Sequence, residues 1–185
     1  MIRNMICADY AQTKRIAESR DRLYRVALSW CGDEMLADDL IQETIETGIR
    51  KRRQLRDENK LYPWLYRILN NAWYAHLRKN RTHENLDEDI PSSDIGPYSS
   101  YQKLELITRV REAVAALPKD QRQVLSLVDL GGLSYSEVAE SLEIPMGTVM
   151  SRLHRARKAL LNKLDNTQPD LVEAQGNMRL VSDRL

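Results

Sequence analysis

The sequence predicts an all-α fold in which two small helical domains are joined by a flexible acidic linker, and the C-terminal domain contains a helix-turn-helix. Apolar residues recur at helical spacing in both halves of the chain, and no run of alternating Val, Ile and Thr indicates a strand. Phenylalanine is absent and aromatic residues make up 6% of the 185 residues. The cores must therefore rely on aliphatic side chains, which favours small helical units.

Composition excludes several classes of protein. Hydrophobic residues make up 42% of the chain, so wholesale disorder is not expected. The 28 basic and 27 acidic residues leave a net charge of +1, which argues against a polybasic DNA-wrapping protein. No stretch reaches the roughly 18 to 20 apolar residues that span a bilayer, and no apolar signal segment follows Met1. We therefore expect a cytoplasmic protein without membrane insertion.

The cysteines and histidines do not form a recognisable metal or redox motif. Cys7 and Cys31 cannot make a disulfide framework or a four-ligand zinc site, and His76, His83 and His154 lie far apart in sequence. Because the cytosol keeps thiols reduced, we expect structural thiols rather than a redox pair. The sequence predicts no cofactor and no metal.

The domain boundaries follow from a change in composition. Residues 82–102 contain no Lys or Arg, carry five acidic residues, and include Pro91, Gly96 and Pro97. Such a composition is typical of a linker. We predict an N-terminal helical domain over residues 1–81, an acidic linker over 82–103, a helix-turn-helix domain over 104–164 and a polar tail over 165–185.

Three helices are predicted before the linker. Leu23, Ala27 and Trp30 indicate the first. The second has an apolar side and an opposite acidic face composed of Asp39, Gln42, Glu43 and Glu46. The third begins at about Tyr62, and its buried stripe is predicted to be Leu61, Trp64, Leu65, Ile68, Leu69, Ala72 and Ala75. On its remaining surface we expect Tyr66, Arg67, Asn70, Asn71, Tyr74 and Arg78.

The C-terminal domain is predicted to contain four helices. The first ends at Pro118, and the second runs to about Leu130, where Gly131 and Gly132 permit a left-handed helix end. Ser134 and Glu137 form a capping-box pattern that opens a short third helix ending at Leu142. A turn through residues 143–145 leads into the last helix, which ends near Leu164.

The last two helices have the pattern of a helix-turn-helix. Ala139 is small where the two helices would cross, and Val149 is apolar where the second would rest on the first. Residues 147–163 contain five basic residues and no acidic one. We predict that duplex DNA is bound through Thr148, Ser151, Arg152, His154, Arg155 and Lys158. Arg152 and Arg155 either read guanine edges or hold phosphates, and the alternative for the whole face is a solvated basic surface.

Three short sequence motifs occur along the chain, two before the linker and one after it. They are Asp38–Thr44 (DDLIQET), Trp64–Asn71 (WLYRILNN) and Gly147–Arg157 (GTVMSRLHRAR). Together they resemble the signatures of the extracytoplasmic-function (ECF) sigma factors, which are small two-domain bacterial transcription initiation factors. The resemblance covers about residues 23–164.

The resemblance implies that Asp39, Gln42 and Glu43 bind the clamp coiled coil of the RNA polymerase β′ subunit. Independently, an acidic face without a basic neighbour suits a basic partner, although it is also compatible with a merely solvated surface. The resemblance further implies a protein that is not an enzyme and has no small-molecule substrate. In agreement, the sequence contains no nucleophile motif, metal cluster or phosphate loop.

The third predicted helix resembles the family element that captures the melted −10 promoter sequence. Aromatic rings stack on unpaired bases with about 1–3 kcal/mol per base, and cations follow the backbone. The predicted contacts are Tyr62, Tyr66, Arg67, Asn71, Tyr74 and Arg78. Asn71 matches a family position near the flipped-out base, and residues 57–63 would form its pocket.

The resemblance implies that the helix-turn-helix binds the −35 element and the polymerase β flap. It also implies that the acidic linker runs toward the active-site cleft. It also implies an anti-sigma factor as a partner. A stand-alone helix-turn-helix regulator is the alternative, and it would not need the acidic face.

Several features depart from the family pattern or lie outside it. Glu143 stands in the helix-turn-helix turn where glycine is common, and a left-handed backbone would cost it about 1–2 kcal/mol. The basic run of residues 50–56 either contacts the displaced non-template strand or is a solvated cluster. The tail after Asp165 is expected to be mobile or ordered by a partner.

Overall fold

The computed structural model describes residues 2–81 and 101–165, and these ranges contain eight α-helices, two short 3-10 helices and no strand. The predicted all-α class is therefore confirmed for the described residues. Most of the predicted linker and tail lie outside them. The fifth helix begins at Tyr101, inside the predicted linker, and the domain boundaries themselves stay a prediction.

The N-terminal half, residues 2–81, is a bundle of four helices. They are α1 (Ile2–Glu18), α2 (Arg20–Cys31), α3 (Glu34–Lys51) and α4 (Leu61–Arg81), with 3-10 helices Arg52–Gln54 and Glu58–Lys60 between the last two. Leu23, Ile41 and Leu65 are fully or almost fully buried and represent the shared core of α2, α3 and α4. Burial of each such side chain contributes about 1.5–3 kcal/mol.

Two local features fix the orientation of α3. Gly32 ends α2 with a φ of 71°, and the Asp33 carboxylate then caps α3 by accepting a hydrogen bond of 3.0 Å from the Leu36 amide. Farther along, a side chain at Gly48 would lie 3.0 Å from Leu65 Cδ2 and 3.3 Å from Ile16 Cγ2. The absence of a side chain thus allows α3 to pack closely, with its opposite face turned outward.

The C-terminal half, residues 101–165, contains the remaining helices. These are α5 (Tyr101–Ala115), α6 (Lys119–Asp129), α7 (Tyr135–Leu142) and α8 (Met146–Asp165). The capping box of Ser134 and Glu137 is present, Gly132 is left-handed with φ 63°, and Val149 of α8 is fully buried. The predicted helix-turn-helix is therefore confirmed.

The two halves pack against each other. α2 and α4 contact α6 and α7, and one continuous core of buried side chains includes residues from both halves, such as Leu69 and Leu127. The part of the α4 surface that does not pack on α3 is thereby divided between solvent and the C-terminal half.

Three expectations about individual residues are wrong. Ala75 is exposed rather than buried, whereas Tyr66 and Asn70 are buried rather than on the surface. The last two lie one turn apart on the side of α4 that faces the C-terminal half. Hydrophobic periodicity identifies the apolar stripe of a helix. It does not show that a second face, which carries polar groups, is also buried. α1 was not predicted, and its fully buried Ile16 joins the core.

Candidate nucleic-acid interface

The acidic face of α3 is open to solvent. Asp39, Gln42 and Glu43 are exposed, and Gln42 Nε2 donates to Glu46 Oε1 at 3.0 Å. Leu40 and Ile41, on the opposite side of α3, are buried and hold this face outward. Within the described ranges, no basic side chain forms an ion pair with Asp39, Glu43 or Glu46. The face can therefore offer unneutralised carboxylates to a basic partner.

The predicted single-strand contacts on α4 fall on two sides of the helix. Asn71 and Arg78 are exposed, and Asn71 lines a groove with Thr47, Arg50 and Lys51 at the α3–α4 junction. The other four residues form the capture face of α4, which lies toward the C-terminal half: Tyr62, Tyr66, Arg67 and Tyr74.

Tyr62 and Tyr66 are the aromatic part of the capture face. The Arg22 guanidinium lies 3.8 Å from the centre of the Tyr62 ring, and the Tyr62 and Tyr66 ring centres are 6.5 Å apart. Tyr66 is fully buried, and this burial raises its pKa to about 12. Its ring is not available as a stacking surface in this arrangement.

Tyr74 contacts the C-terminal half directly. Its hydroxyl donates to Gln123 Oε1 at 3.2 Å, and Lys119 Nζ lies 4.8 Å from the ring centre. Partial burial raises the pKa of Tyr74. The phenol therefore stays neutral at physiological pH and acts as a hydrogen-bond donor.

A set of buried and partly buried hydrogen bonds joins the two halves. We call it the seam, and it consists of Ser29, Pro63, Asn70, Gln123, Ser126 and Ser141. Gln123 Nε2 donates to Asn70 Oδ1 at 3.1 Å, and Ser141 Oγ donates to the Pro63 carbonyl at 3.0 Å. Ser29 Oγ donates to Ser126 Oγ at 2.7 Å. Gln123 is 2% exposed, and its amide is satisfied by Asn70 within the seam and by the Tyr74 hydroxyl beside it.

Two ion pairs lie beside the seam. Lys60 Nζ is 3.3 Å from Glu140 Oε2, and the Arg67 guanidinium pairs with Glu143. Glu143 has a φ of 55° and is the one non-glycine residue with a left-handed backbone in the described ranges. The backbone at Glu143 is thus left-handed despite its cost to a non-glycine residue, and the Glu143 side chain reaches Arg67 of the capture face.

The outward side of α8 is largely uncovered; we call it the recognition face. Ser151, His154, Arg155 and Lys158 are exposed, whereas Thr148 is half-buried. Arg152 is half-buried and its guanidinium pairs with Asp120 of α6 at 2.6 Å, and the exposed Arg157 pairs with Asp129 at 2.8 Å. Leu153 and Ala156 are buried on the inward side and support the face.

The basic run after α3 is only partly free. Arg52 donates to Asp9 Oδ2 at 2.9 Å, and Arg53 lies 3.6 Å from the same oxygen. The hydrogen bond from Arg52 lowers the pKa of the Asp9 carboxyl. These two cations therefore have a structural partner on α1 that the sequence did not reveal.

Sequence reasoning did not identify Gln123 as a contact of Tyr74, or Glu140 and Ser141 as contacts of Lys60 and Pro63. No sequence signal pairs residues that are between 49 and 80 positions apart without an alignment. Cys31 is half-buried and burial raises the pKa of its thiol, which fits the predicted structural role. In the described ranges, no three potential ligands cluster around a metal position, and no helix is long and apolar enough to cross a membrane.

Comparison with protein families gives two matches. The family described as Sigma-70 region 2 matches residues 16–83, and the family described as Sigma-70, region 4 matches residues 107–160. The first covers α2 to α4, and the second covers the helix-turn-helix.

Curated relatives match across both regions. The ECF RNA polymerase sigma-E factor of Haemophilus influenzae is 33% identical over 138 residues, which cover 68% of this chain and 73% of that protein. The ECF RNA polymerase sigma factor SigE of Mycolicibacterium smegmatis is 33% identical over 154 residues, which cover 80% of this chain and 60% of the relative.

Solved structures share the fold. The sigma factor RpoE from Bartonella quintana, in complex with the anti-sigma factor NepR, is 28% identical and superposes with a TM-score of 0.71 over 84% of this chain and 97% of that one. CnrH, in complex with the cytosolic domain of CnrY, has a TM-score of 0.62 at 24% identity, which shows a common fold.

Proposed function

Because the chain belongs to the ECF sigma factors, we propose that its polymerase-binding, −10 and −35 functions reside on the acidic face of α3, on α4 and on α8. As a sigma factor, the protein binds core RNA polymerase and directs promoter-specific transcription initiation. The domain boundaries proposed for this division are residues 1–81, 82–103, 104–164 and 165–185.

The acidic face is the proposed docking site for the β′ clamp. Asp39, Gln42 and Glu43 are exposed together, and in the described ranges no basic side chain forms an ion pair with the Asp39 or Glu43 carboxylate. Exposed charges of one sign speed the encounter with a surface of the opposite sign. The observation supports a basic protein partner better than nucleic acid, whose phosphates these carboxylates would repel.

Promoter recognition is proposed for α4 and α8. Tyr62, Tyr66, Arg67, Asn71, Tyr74 and Arg78 would capture the opened −10 strand. Thr148, Ser151, Arg152, His154, Arg155 and Lys158 would bind the −35 duplex, with the C-terminal half also against the β flap. The single observation that carries this proposal is the exposed basic face of α8 on a capped helix-turn-helix, since a helix of this kind fits the major groove.

An anti-sigma factor is the proposed regulator of the chain. The similar RpoE of Bartonella quintana was solved with its anti-sigma factor NepR. A partner that binds the acidic face or α4 would compete directly with polymerase or with promoter DNA. We place the whole system in the cytoplasm and assign no catalytic step to the chain.

Transcription with core polymerase tests the proposal. The protein is expected to direct run-off transcription from a promoter library, and Asp39→Arg with Glu43→Arg is expected to abolish capture of core polymerase. Glu18→Arg with Glu112→Arg makes the same charge change on α1 and α5 and should retain capture. Tight footprinting without polymerase, and no new start sites with it, would instead indicate a stand-alone helix-turn-helix regulator.

A further inference from the structure

The short helix α7 presents carboxylates to the capture face. α7 and its following turn, residues 135–143, contain Glu137, Glu140 and Glu143 and no basic residue. Glu137 is used in the capping box with Ser134. The other two, Glu140 and Glu143, are the α7 carboxylates, and each one pairs with a cation of the N-terminal half.

The cations that they occupy flank the aromatic residues of α4. Lys60 lies immediately before α4, and Arg67 lies seven residues farther on, which is about two helical turns. Tyr62 and Tyr66 lie between them in sequence. A row of cations beside aromatic rings is the arrangement that binds a single strand, with phosphates on the cations and bases on the rings.

The backbone at Glu143 gives an independent indication. A left-handed conformation favours glycine, yet a residue with a carboxylate stands there and reaches Arg67. The strained position therefore carries a side chain that makes a contact between the halves. A glycine would relieve the strain but would leave Arg67 without that partner.

These ion pairs are exposed enough to be exchanged. The side chains of Lys60 and Glu140 are 45% and 58% exposed, and those of Arg67 and Glu143 are 52% and 65% exposed. Exposed pairs of this kind are weak and are screened by salt. A polyanion can therefore displace them, whereas the buried seam beside them fixes the register of the two halves.

We propose that Glu140 and Glu143 substitute for promoter phosphates, so that the chain closes α7 over its own capture face, and that Lys60 is a further DNA-backbone contact beside Arg67. This inference rests on the proposed role of α4 in single-strand capture. The recognition face of α8 is left outside the contact, so duplex binding does not require the same opening.

Binding of single-stranded DNA by the full chain tests the inference. The probe is a fluorescein-labelled mixed-sequence 20-nucleotide strand at low salt, without polymerase. Glu140→Gln with Glu143→Gln is expected to bind about three- to tenfold more tightly than the unmodified protein, because two weak competing ion pairs are lost.

The control removes the same two charges elsewhere. Glu18→Gln with Glu112→Gln removes one exposed carboxylate that pairs with Lys14 and another on α5, and in the described ranges neither carboxylate pairs with Lys60 or Arg67. It should change single-strand affinity by less than about twofold. In the Glu140→Gln/Glu143→Gln background, Lys60→Gln is expected to lower the affinity several-fold by removing one phosphate contact.

The inference is overturned if the first variant gains no more affinity than the control, or if Lys60→Gln has no effect. Run-off transcription by the unmodified protein with core polymerase separates this result from a failure of the proposed function. Initiation without the predicted affinity gain rejects the role of the α7 carboxylates alone. Absence of initiation rejects the proposed function itself.

Discussion

The capture face of α4 and the recognition face of α8 carry similar chemistry but have opposite surroundings. Tyr66 and Asn70 on α4 are buried, and Tyr74 is bonded to Gln123, whereas Ser151, Arg155 and Lys158 on α8 are exposed. The difference matches the state of the DNA that each face is proposed to bind. Duplex is present from the first encounter, but an unpaired strand exists only after melting.

The two faces also differ in what supports them. α8 rests on aliphatic side chains, including the fully buried Val149 and Ala156. Polar groups help to cover the capture face, because Gln123 accepts a hydrogen bond from Tyr74, and the buried hydrogen bonds from Gln123 to Asn70 and from Ser141 to Pro63 lie beside it. Separating aliphatic side chains exposes apolar area to water, which costs free energy, whereas hydrogen bonds can be exchanged for hydrogen bonds to water or DNA with a small net change in free energy.

The largest expected effect comes from the support of the recognition face. Leu153→Ala removes a side chain that is 3% exposed and is expected to lower the free energy of unfolding by about 2–5 kcal/mol. Urea unfolding followed by circular dichroism measures the loss. Leu161→Ala, on the exposed side of the same helix, should change it by no more than about 0.5 kcal/mol. Equal effects at the two positions would contradict the orientation of α8.

Alkaline pH tests the burial of the capture face. Burial raises the pKa of Tyr66 to about 12 from an ordinary value of 10.0, so the folded state holds the phenolic proton more tightly than the unfolded state. The contribution of this difference in pKa to the free energy of unfolding is complete below pH 10. It is lost as the pH rises toward 12, by at most about 2.7 kcal/mol. Tyr66→Phe should flatten this fall in urea-unfolding curves, while Tyr10→Phe, at an exposed site, should not. An unchanged pH profile for Tyr66→Phe would place the ring at the surface.

The smallest expected effect is at the seam. Gln123→Leu keeps most of the volume but deprives buried Asn70 of its partner, so we expect a loss of about 1–2 kcal/mol in unfolding free energy and tighter binding of single-stranded DNA. Gln121→Leu is the matched change at a half-buried position of α6. A lower free energy of unfolding without any gain in single-strand binding would show that the seam does not control access to α4.

Much of the fold was predictable because local signals determine it. Leu23 to Trp30, the Ser134–Glu137 capping box and the stripe Val149–Leu160 mark helices through spacing and end chemistry alone. The sequence also predicted the acidic face and the recognition face, since each lies opposite a strongly apolar stripe. Those predictions need no knowledge of the rest of the molecule.

The arrangement of the halves was not predictable from one sequence. Gln123, Ser141 and Glu140 look like ordinary surface residues of amphipathic helices, and only their contacts across the seam give them a role. Tyr66 was expected on the surface because one helical face already accounted for burial. Polar interfaces between distant segments leave no periodic signal in a single chain.

Locking the two halves together tests the central claim that the capture face must be uncovered for initiation. Ser29→Cys with Ser126→Cys, in a Cys7→Ser/Cys31→Ser background, places two thiols where the native hydroxyl oxygens are 2.7 Å apart. With core polymerase, run-off transcription should be lost in the oxidised protein and restored by dithiothreitol, while the background protein should be active in both states. Equal transcription by the disulfide-locked and the reduced protein would contradict the account.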